Sequence, residues 1–211
     1  MARPPRAPGQ RAFPFLGPDP DYSADRVIVG EANREAAAAA CSGERPDRRA
    51  LVFAGPPESG KSHLLSVWCE RAGADAIVLD DAHDPRDPAE LLTRLKGAEA
   101  GRPVALAGRG EPSDWSGGVR DLATRLASAR IVRIAEPDEA LARAYLRRRL
   151  EDRGLSIGGP ALSFVAARSP RTYAALARFA ARADALALER GVSAVGLDLA
   201  GAALDDAAPD H

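Results

Sequence analysis

A chain of 211 residues with 45% hydrophobic residues can form one cored domain, or a core with a small satellite, and 5% aromatics means that core is mostly Leu, Val, Ile and Ala. A net charge of −1 excludes a protein whose main task is to coat nucleic acid or an anionic membrane. Cys41 and Cys69 stand far apart in no metal-ligand spacing, which suits the reducing cytoplasm; no apolar run nears a membrane span, and the basic N-terminus lacks the apolar stretch of a secretory signal.

In chain order, residues 1–21 hold six prolines (Pro4, Pro5, Pro8, Pro14, Pro18 and Pro20) and read as a disordered or extended arm. One apolar island, Phe13-Pro14-Phe15-Leu16, interrupts it. From Tyr22 the pattern changes to a short apolar segment, Val27–Gly30, and a helix-prone alanine run over 35–41. Leu51–Ala54 is a buried strand by pattern, and His63–Arg71 a helix with Gly73 at its stop. Ile77–Leu79 is a second strand, Pro88–Lys96 a helix with Leu91, Leu92 and Leu95 on one face, and Val104–Ala107 a third strand. Val119–Ala127 is helical and Ile131–Ile134 a fourth strand. Alternation of this kind predicts an α/β fold with a parallel sheet and helical crossovers. After Glu136 the strands stop. Pro137 suits a first helical turn running to Gly154, and Ser169-Pro170 opens a long helix carrying Leu176, Phe179, Leu186 and Leu188 up to Gly191. The predicted organisation is an arm (1–21), a nucleotide-binding core (22–136) and an α-helical lid (137–211).

Between the first strand and its helix lies Gly55-Pro56-Pro57-Glu58-Ser59-Gly60-Lys61-Ser62, which fits the eight-residue P-loop pattern without mismatch. A strand turning into a helix around a phosphate points backbone N–H groups inward, and glycines allow the close approach. Lys61 brings a point charge to the outer phosphates, and Ser62 a hydroxyl for Mg²⁺. The chain's basic residues are almost all arginine, with Lys61 and Lys96 its lysines, so a lysine here stands out. Downstream, Asp80 is placed to hold the metal and Asp81 to orient an attacking water; the same pair also reads as turn-forming aspartates before Pro85.

Tyr22 to Ala36, containing Val29-Gly30 and Asn33-Arg34, then the P-loop running into His63-Leu64-Leu65, then Leu79-Asp80-Asp81, resemble the AAA+ core of the DnaA family of bacterial replication initiators over roughly residues 22–191. The resemblance implies ADP or ATP with Mg²⁺ as ligand, with Val29 and Gly30 lining the adenine and ribose and His63 closing the phosphate motif. It implies an arginine finger at Arg125, reaching a neighbour's γ-phosphate, a contribution of about 10³–10⁵ in rate in comparable systems; a solvated helix arginine is the plain alternative. Arg171, read as the second residue of the long helix, resembles the lid arginine that senses nucleotide, with surface charge as its alternative. Two departures stand out. The resemblance stops at the lid, so no counterpart of the family's DNA-binding domain is expected, and Val104–Gly108 carries no Ser, Thr or Asn toward the γ-phosphate, which implies weak intrinsic hydrolysis.

A DnaA-like core of this kind is similar to the Hda (HdaA) regulators that inactivate DnaA. Their N-terminal motif for the DNA polymerase sliding clamp (β subunit) is matched in form by Gln10, Phe13 and Phe15, the glutamine bonding at the pocket rim and the phenylalanines filling apolar space. The implied protein is a cytoplasmic negative regulator of replication initiation that binds the clamp and stimulates hydrolysis by DnaA through Arg125. The same interfaces leave room for self-association; direct sequence-specific DNA binding and membrane association are not expected. A small P-loop kinase, with Arg147-Arg148-Arg149 on phosphates, and a replication adaptor or scaffold with a structural nucleotide are the alternatives.

Overall fold

The computed structural model describes residues 23–84 and 88–205. The arm, with Gln10, Phe13 and Phe15, lies outside the described residues.

β1 (Leu51–Ala54) is buried along its whole length, as a central parallel strand must be when helices cover both faces. Alternate residues serve the two faces: Leu51 and Phe53 enter one core cluster, Val52 and Ala54 another. β2 (Ile77–Leu79), β3 (Val104–Gly108) and β4 (Arg130–Arg133) complete the sheet in the order β2-β3-β1-β4, every pairing parallel. Ala54 pairs with Gly108 on one side and Arg133 on the other, so three strands end level at one edge. Open parallel sheets bind their ligands at that carboxyl edge.

α1 (Arg34–Ser42) and α2 (Lys61–Ala72) cover the Phe53 face. Four alanines of α1 (Ala36, Ala37, Ala39 and Ala40) are buried there beside Leu64, Leu65, Val67 and Trp68 of α2. α3 (Pro88–Glu99) and α4 (Arg120–Ser128) cover the opposite face with Leu91, Leu95, Leu122 and Leu126. The alternation read in the sequence is therefore a three-layer sandwich.

After Glu136 come α5 (Glu139–Glu151), α6 (Gly159–Arg168), α7 (Tyr173–Arg190) and α8 (Leu197–Asp205), packed around Leu146, Leu150, Leu162, Val165, Phe179 and Leu199. Strands do not stop at Glu136 as the sequence predicts: β5 (Ser156–Ile157) and β6 (Ala194–Val195) form a parallel pair. Two residues carry no readable periodicity, so this ladder leaves no trace in the sequence. Pro137 precedes the helix instead of starting it; Asp138 is the N-cap of α5, its carboxylate accepting the Leu141 N–H at 2.7 Å.

The long helix α7 starts later than Ser169-Pro170 suggests. Ser169 closes α6 in an extended conformation, the state a following proline favours. Thr172 is the N-cap of α7, its hydroxyl accepting the Ala175 N–H at 3.1 Å, and Gly191 ends the helix at φ 63°. Arg171 therefore stands before the helix, exposed, rather than in its first turn. Leu188 faces solvent, outside the core that holds Leu176, Phe179 and Leu186. Thr172→Ala is expected to cost about 1 kcal/mol in urea unfolding, and Ser169→Ala less than about half of that, because only Thr172 satisfies a helix-end N–H.

Candidate nucleotide-binding site

Gly55 continues β1 into the loop, its N–H bonded to the Gly108 carbonyl at 3.3 Å. A Cβ there would come within 2.9 Å of Ile134 Cβ and 3.0 Å of its carbonyl oxygen, so only glycine fits between β4 and the loop. Gly60 is required for another reason: a Cβ would meet open space, but its φ of 86° lies in the left-handed region. It serves as N-cap of α2, and no side chain caps that helix. The first N–H groups of α2 thus have no capping acceptor and open onto the loop, the arrangement that receives an anion.

Lys61 follows at once and is only 8% exposed. Its ammonium donates to the Pro56 carbonyl at 2.5 Å and to Ser59 Oγ at 3.3 Å. Burial first, then the charge of Arg109, hold its pKa below the ordinary lysine value, while Asp80, Asp81 and Glu58 pull it back up. Asp80 and Asp81, at the end of β2, are thus brought to the same charge network as the P-loop. Asp80 accepts the Asp81 N–H at 2.9 Å, and Asp81 sits at φ 52°, in the left-handed region that Asp enters more readily than most non-glycine residues. Ser62 is exposed on the first turn of α2, while Asp80 is half-buried. Hydroxyl and carboxylate oxygens are the hard donors Mg²⁺ takes, in company with phosphate oxygens and water. Among the described residues no group of three or more His, Cys, Asp or Glu could hold a metal alone, so such an ion would depend on the phosphates for the rest of its shell.

The fourth loop residue ties the site to the lid. Glu58, at φ 62°, pairs its carboxylate with Arg149 of α5, and its carbonyl accepts the Tyr145 hydroxyl at 3.0 Å. Arg149 also lies over the Tyr145 ring, 5.4 Å from its centroid, and Tyr145 meets Tyr173 edge-on at 5.1 Å. Burial pushes both phenols up to about 12, Tyr145 with Glu58 adding and Tyr173 with Glu136 adding. Glu136 in turn accepts the Tyr173 N–H at 3.1 Å, serving the start of α7. Sequence reading named Arg149 only in the kinase alternative, with Arg147 and Arg148, and did not single out Tyr145 or Glu136. The available signal was an acidic residue in a loop otherwise of Gly, Pro and Ser.

The segment before α1 is fixed by Asn33. Its Oδ1 accepts the Gly30 N–H at 2.8 Å and its Nδ2 donates to the Ile28 carbonyl at 2.7 Å, which explains the spacing of Gly30 and Asn33. A Cβ on Gly30 would press on Leu141 of α5 at 3.0 Å, so this segment also packs against the lid. Val29 is 58% exposed, free to meet a ligand. His63 Nε2 lies 3.0 Å from the Ser23 carbonyl, so its ring anchors the segment's start to α2. Pro57 and exposed Arg171 complete the residues expected near the phosphates and lid. Arg125 is held elsewhere: α4 places it 18% exposed between Asp121, at 3.0 Å, and Glu99 of α3, with which it pairs closely. The Glu99 contact, then Asp121, raise its pKa further.

No family model matches the sequence, and no curated protein matches it. The fold, however, is shared with solved structures. Domain III of the Thermotoga maritima replication initiation protein DnaA superposes with a TM-score of 0.71 at 18% identity, over 89% of this chain and 97% of that one. The replication initiator DnaA bound to AMPPCP and single-stranded DNA gives 0.61 at 16% identity, over 84% of this chain and 67% of that one. The Thermotoga maritima RuvB Holliday junction branch migration motor gives 0.58 at 16% identity, over 84% and 70%. Among the described residues no helix is long and apolar enough to cross a membrane.

Tyr145→Phe is expected to cost about 1 kcal/mol, and a Glu58→Gln, Arg149→Ala double-mutant cycle to return a coupling of only about 0.2–1 kcal/mol, because that pair is half open to water. Because Lys61 has a lowered pKa in the folded chain, the ligand-free protein should gain stability as pH rises through that value toward 10.5. Lys61→Met should be more stable than the parent at neutral pH, with the gap closing over that window; thermal melts at stepped pH measure it.

Proposed function

We propose that this chain is a nucleotide-bound AAA+ adaptor that restrains bacterial DNA replication initiation. It holds ADP or ATP on Gly55–Ser62, docks beside ATP-bound DnaA and stimulates DnaA's hydrolysis through Arg125, while Gln10, Phe13 and Phe15 tether it to the DNA polymerase sliding clamp. The observation that carries the nucleotide reading is the turn itself: an uncapped helix end, a glycine held against Ile134 and a buried lysine facing the loop carbonyls. The DnaA-like fold supports the replication context.

In this reading the N–H groups of α2 and the Lys61 ammonium bind the outer phosphates, and Ser62 and Asp80 hold Mg²⁺. The ion neutralises phosphate charge when bound. Val29 and Gly30 line the base and ribose beside the lid, and Asp81 orients water. The Glu58 contacts with Tyr145 and Arg149 couple loop occupancy to the position of α5. Arg125 becomes useful to a neighbour once it exchanges Glu99 and Asp121 for a phosphate, so its action depends on docking. Val104–Gly108 offers no polar side chain at the strand end other than backbone, which fits slow hydrolysis by the chain alone.

The test compares DnaA's ATPase rate alone, with this protein, and with this protein plus clamp on DNA. Arg125→Ala should abolish the stimulation without weakening nucleotide or clamp binding, and the triple replacement of Gln10, Phe13 and Phe15 by Ala should abolish clamp binding. Full stimulation by folded, clamp-bound Arg125→Ala protein would sink the finger assignment.

A further inference from the structure

Glu58 is the acidic residue of a loop otherwise made of Gly, Pro and Ser up to Lys61, and it sits at φ 62°. Glycine takes that left-handed conformation without strain, whereas a residue with a Cβ does not. The side chain also brings a negative charge into a turn where an uncapped helix end and a buried lysine collect positive potential. A strained backbone and an opposing charge meet in one residue, so what holds that residue matters to any anion in the loop.

Its partners come from the lid. Arg149 of α5 pairs with the carboxylate, and the hydroxyl of Tyr145, one turn earlier on the same helix, donates to the Glu58 carbonyl at 3.0 Å. A trans peptide sets its N–H opposite its C=O, so fixing the Glu58 carbonyl on Tyr145 turns the Ser59 N–H away from α5. Ser59 is 5% exposed, and its hydroxyl accepts from the Lys61 ammonium at 3.3 Å, so the residue after Glu58 is already part of the buried cation's surroundings. Arg149 in turn lies over the Tyr145 ring. The Glu58 and Arg149 side chains are 49% and 30% exposed, too open to water for their pairing to brace the fold strongly. Its importance lies in where the two charges stand, in and against the phosphate loop.

Resting on the nucleotide reading above, we infer that Arg149 is a positioning residue for the nucleotide phosphates: it holds and cancels the Glu58 carboxylate, which repels them when uncovered. The P-loop N–H groups and Lys61 attract the anion; Arg149 neutralises the negative charge that the loop itself carries. The lid thereby contributes phosphate affinity through Glu58, without a contact of its own to the phosphates. A brace and a charge mask predict opposite results at Glu58. Removing half of a brace loosens the loop and weakens binding, whereas removing the carboxylate strengthens it.

Calorimetric titration of the full chain with Mg²⁺ and ADP, at low and at high salt, tests this on the parent, Arg149→Ala, Glu58→Gln and the double variant. Arg149→Ala should bind ADP about three- to tenfold more weakly than the parent, the effect of one unit charge near the phosphates in partly solvated surroundings. Glu58→Gln should bind it more tightly than the parent, and the double variant should return close to the parent. Arg149→Lys, which keeps the charge, should recover most of the loss, and all differences should shrink in high salt. Weaker binding by Glu58→Gln with no recovery in the double variant, in proteins with parent-like circular dichroism, makes the pair a brace and overturns the inference while leaving nucleotide binding intact. Equal affinity in all four proteins overturns it too. Should Arg149→Ala fail to fold, Glu58→Gln decides alone: tighter binding supports the inference, and unchanged or weaker binding overturns it. A parent that binds no ADP, or a Lys61→Ala variant that binds it undiminished, overturns the nucleotide reading and this inference with it.

Discussion

Lys61 keeps its ammonium at the foot of α2, 8% exposed, against a carbonyl and a serine hydroxyl. A cation in that position is poorly solvated and incompletely paired, and much of the surrounding architecture answers to it. Gly55 lets the loop lie close against β4, Gly60 turns the chain into the helix, and the aspartates after β2 contribute opposing charge from two strands away. The uncapped start of α2 adds partial positive charge to the same space. The buried ammonium and the helix end place positive potential where the sheet ends, and the aspartates offset part of it.

The same loop is mechanically connected. Glu58 occupies a backbone region that non-glycine residues avoid, and it is the residue that α5 grips through Tyr145 and Arg149. Leu141 of α5 and Tyr173 of α7 enter the core cluster beneath α1 and α2, so the helical part is joined to the sandwich by packing as well as by polar contacts. A change at the loop therefore meets a lever whose far arm is the cluster around Leu146 and Phe179.

Most of the sandwich was legible in the sequence because β1 and β3 are short apolar runs bounded by Gly and Pro, and a P-loop must stand between a strand and a helix. The helical part was less so. α6 and α8 are Ala-rich and short, and their apolar positions do not separate from the composition of the chain. Ser169-Pro170 looks like a helix start, yet a proline extends the residue before it, and the hydroxyl three residues on took the capping role. Of the site, the phosphate loop and acidic strand end could be read directly, since their chemistry is local in sequence. The contacts of Glu58 with Tyr145 and Arg149, and of Arg125 with Glu99, join residues 26 to 91 positions apart, and no spacing rule reaches that far.

Trp115 has a consequence of its own. Its indole props the end of β3, bonded to the Arg109 carbonyl and packed on Gly108, whereas Trp68 is sealed under α1 with its N–H on the Glu44 carbonyl. The chain's two indoles thus sit in different surroundings, one against the end of β3 and the other in the core beneath α1. Tryptophan emission is thereby divided between the strand end that bonds Gly55 and the interior of the sandwich.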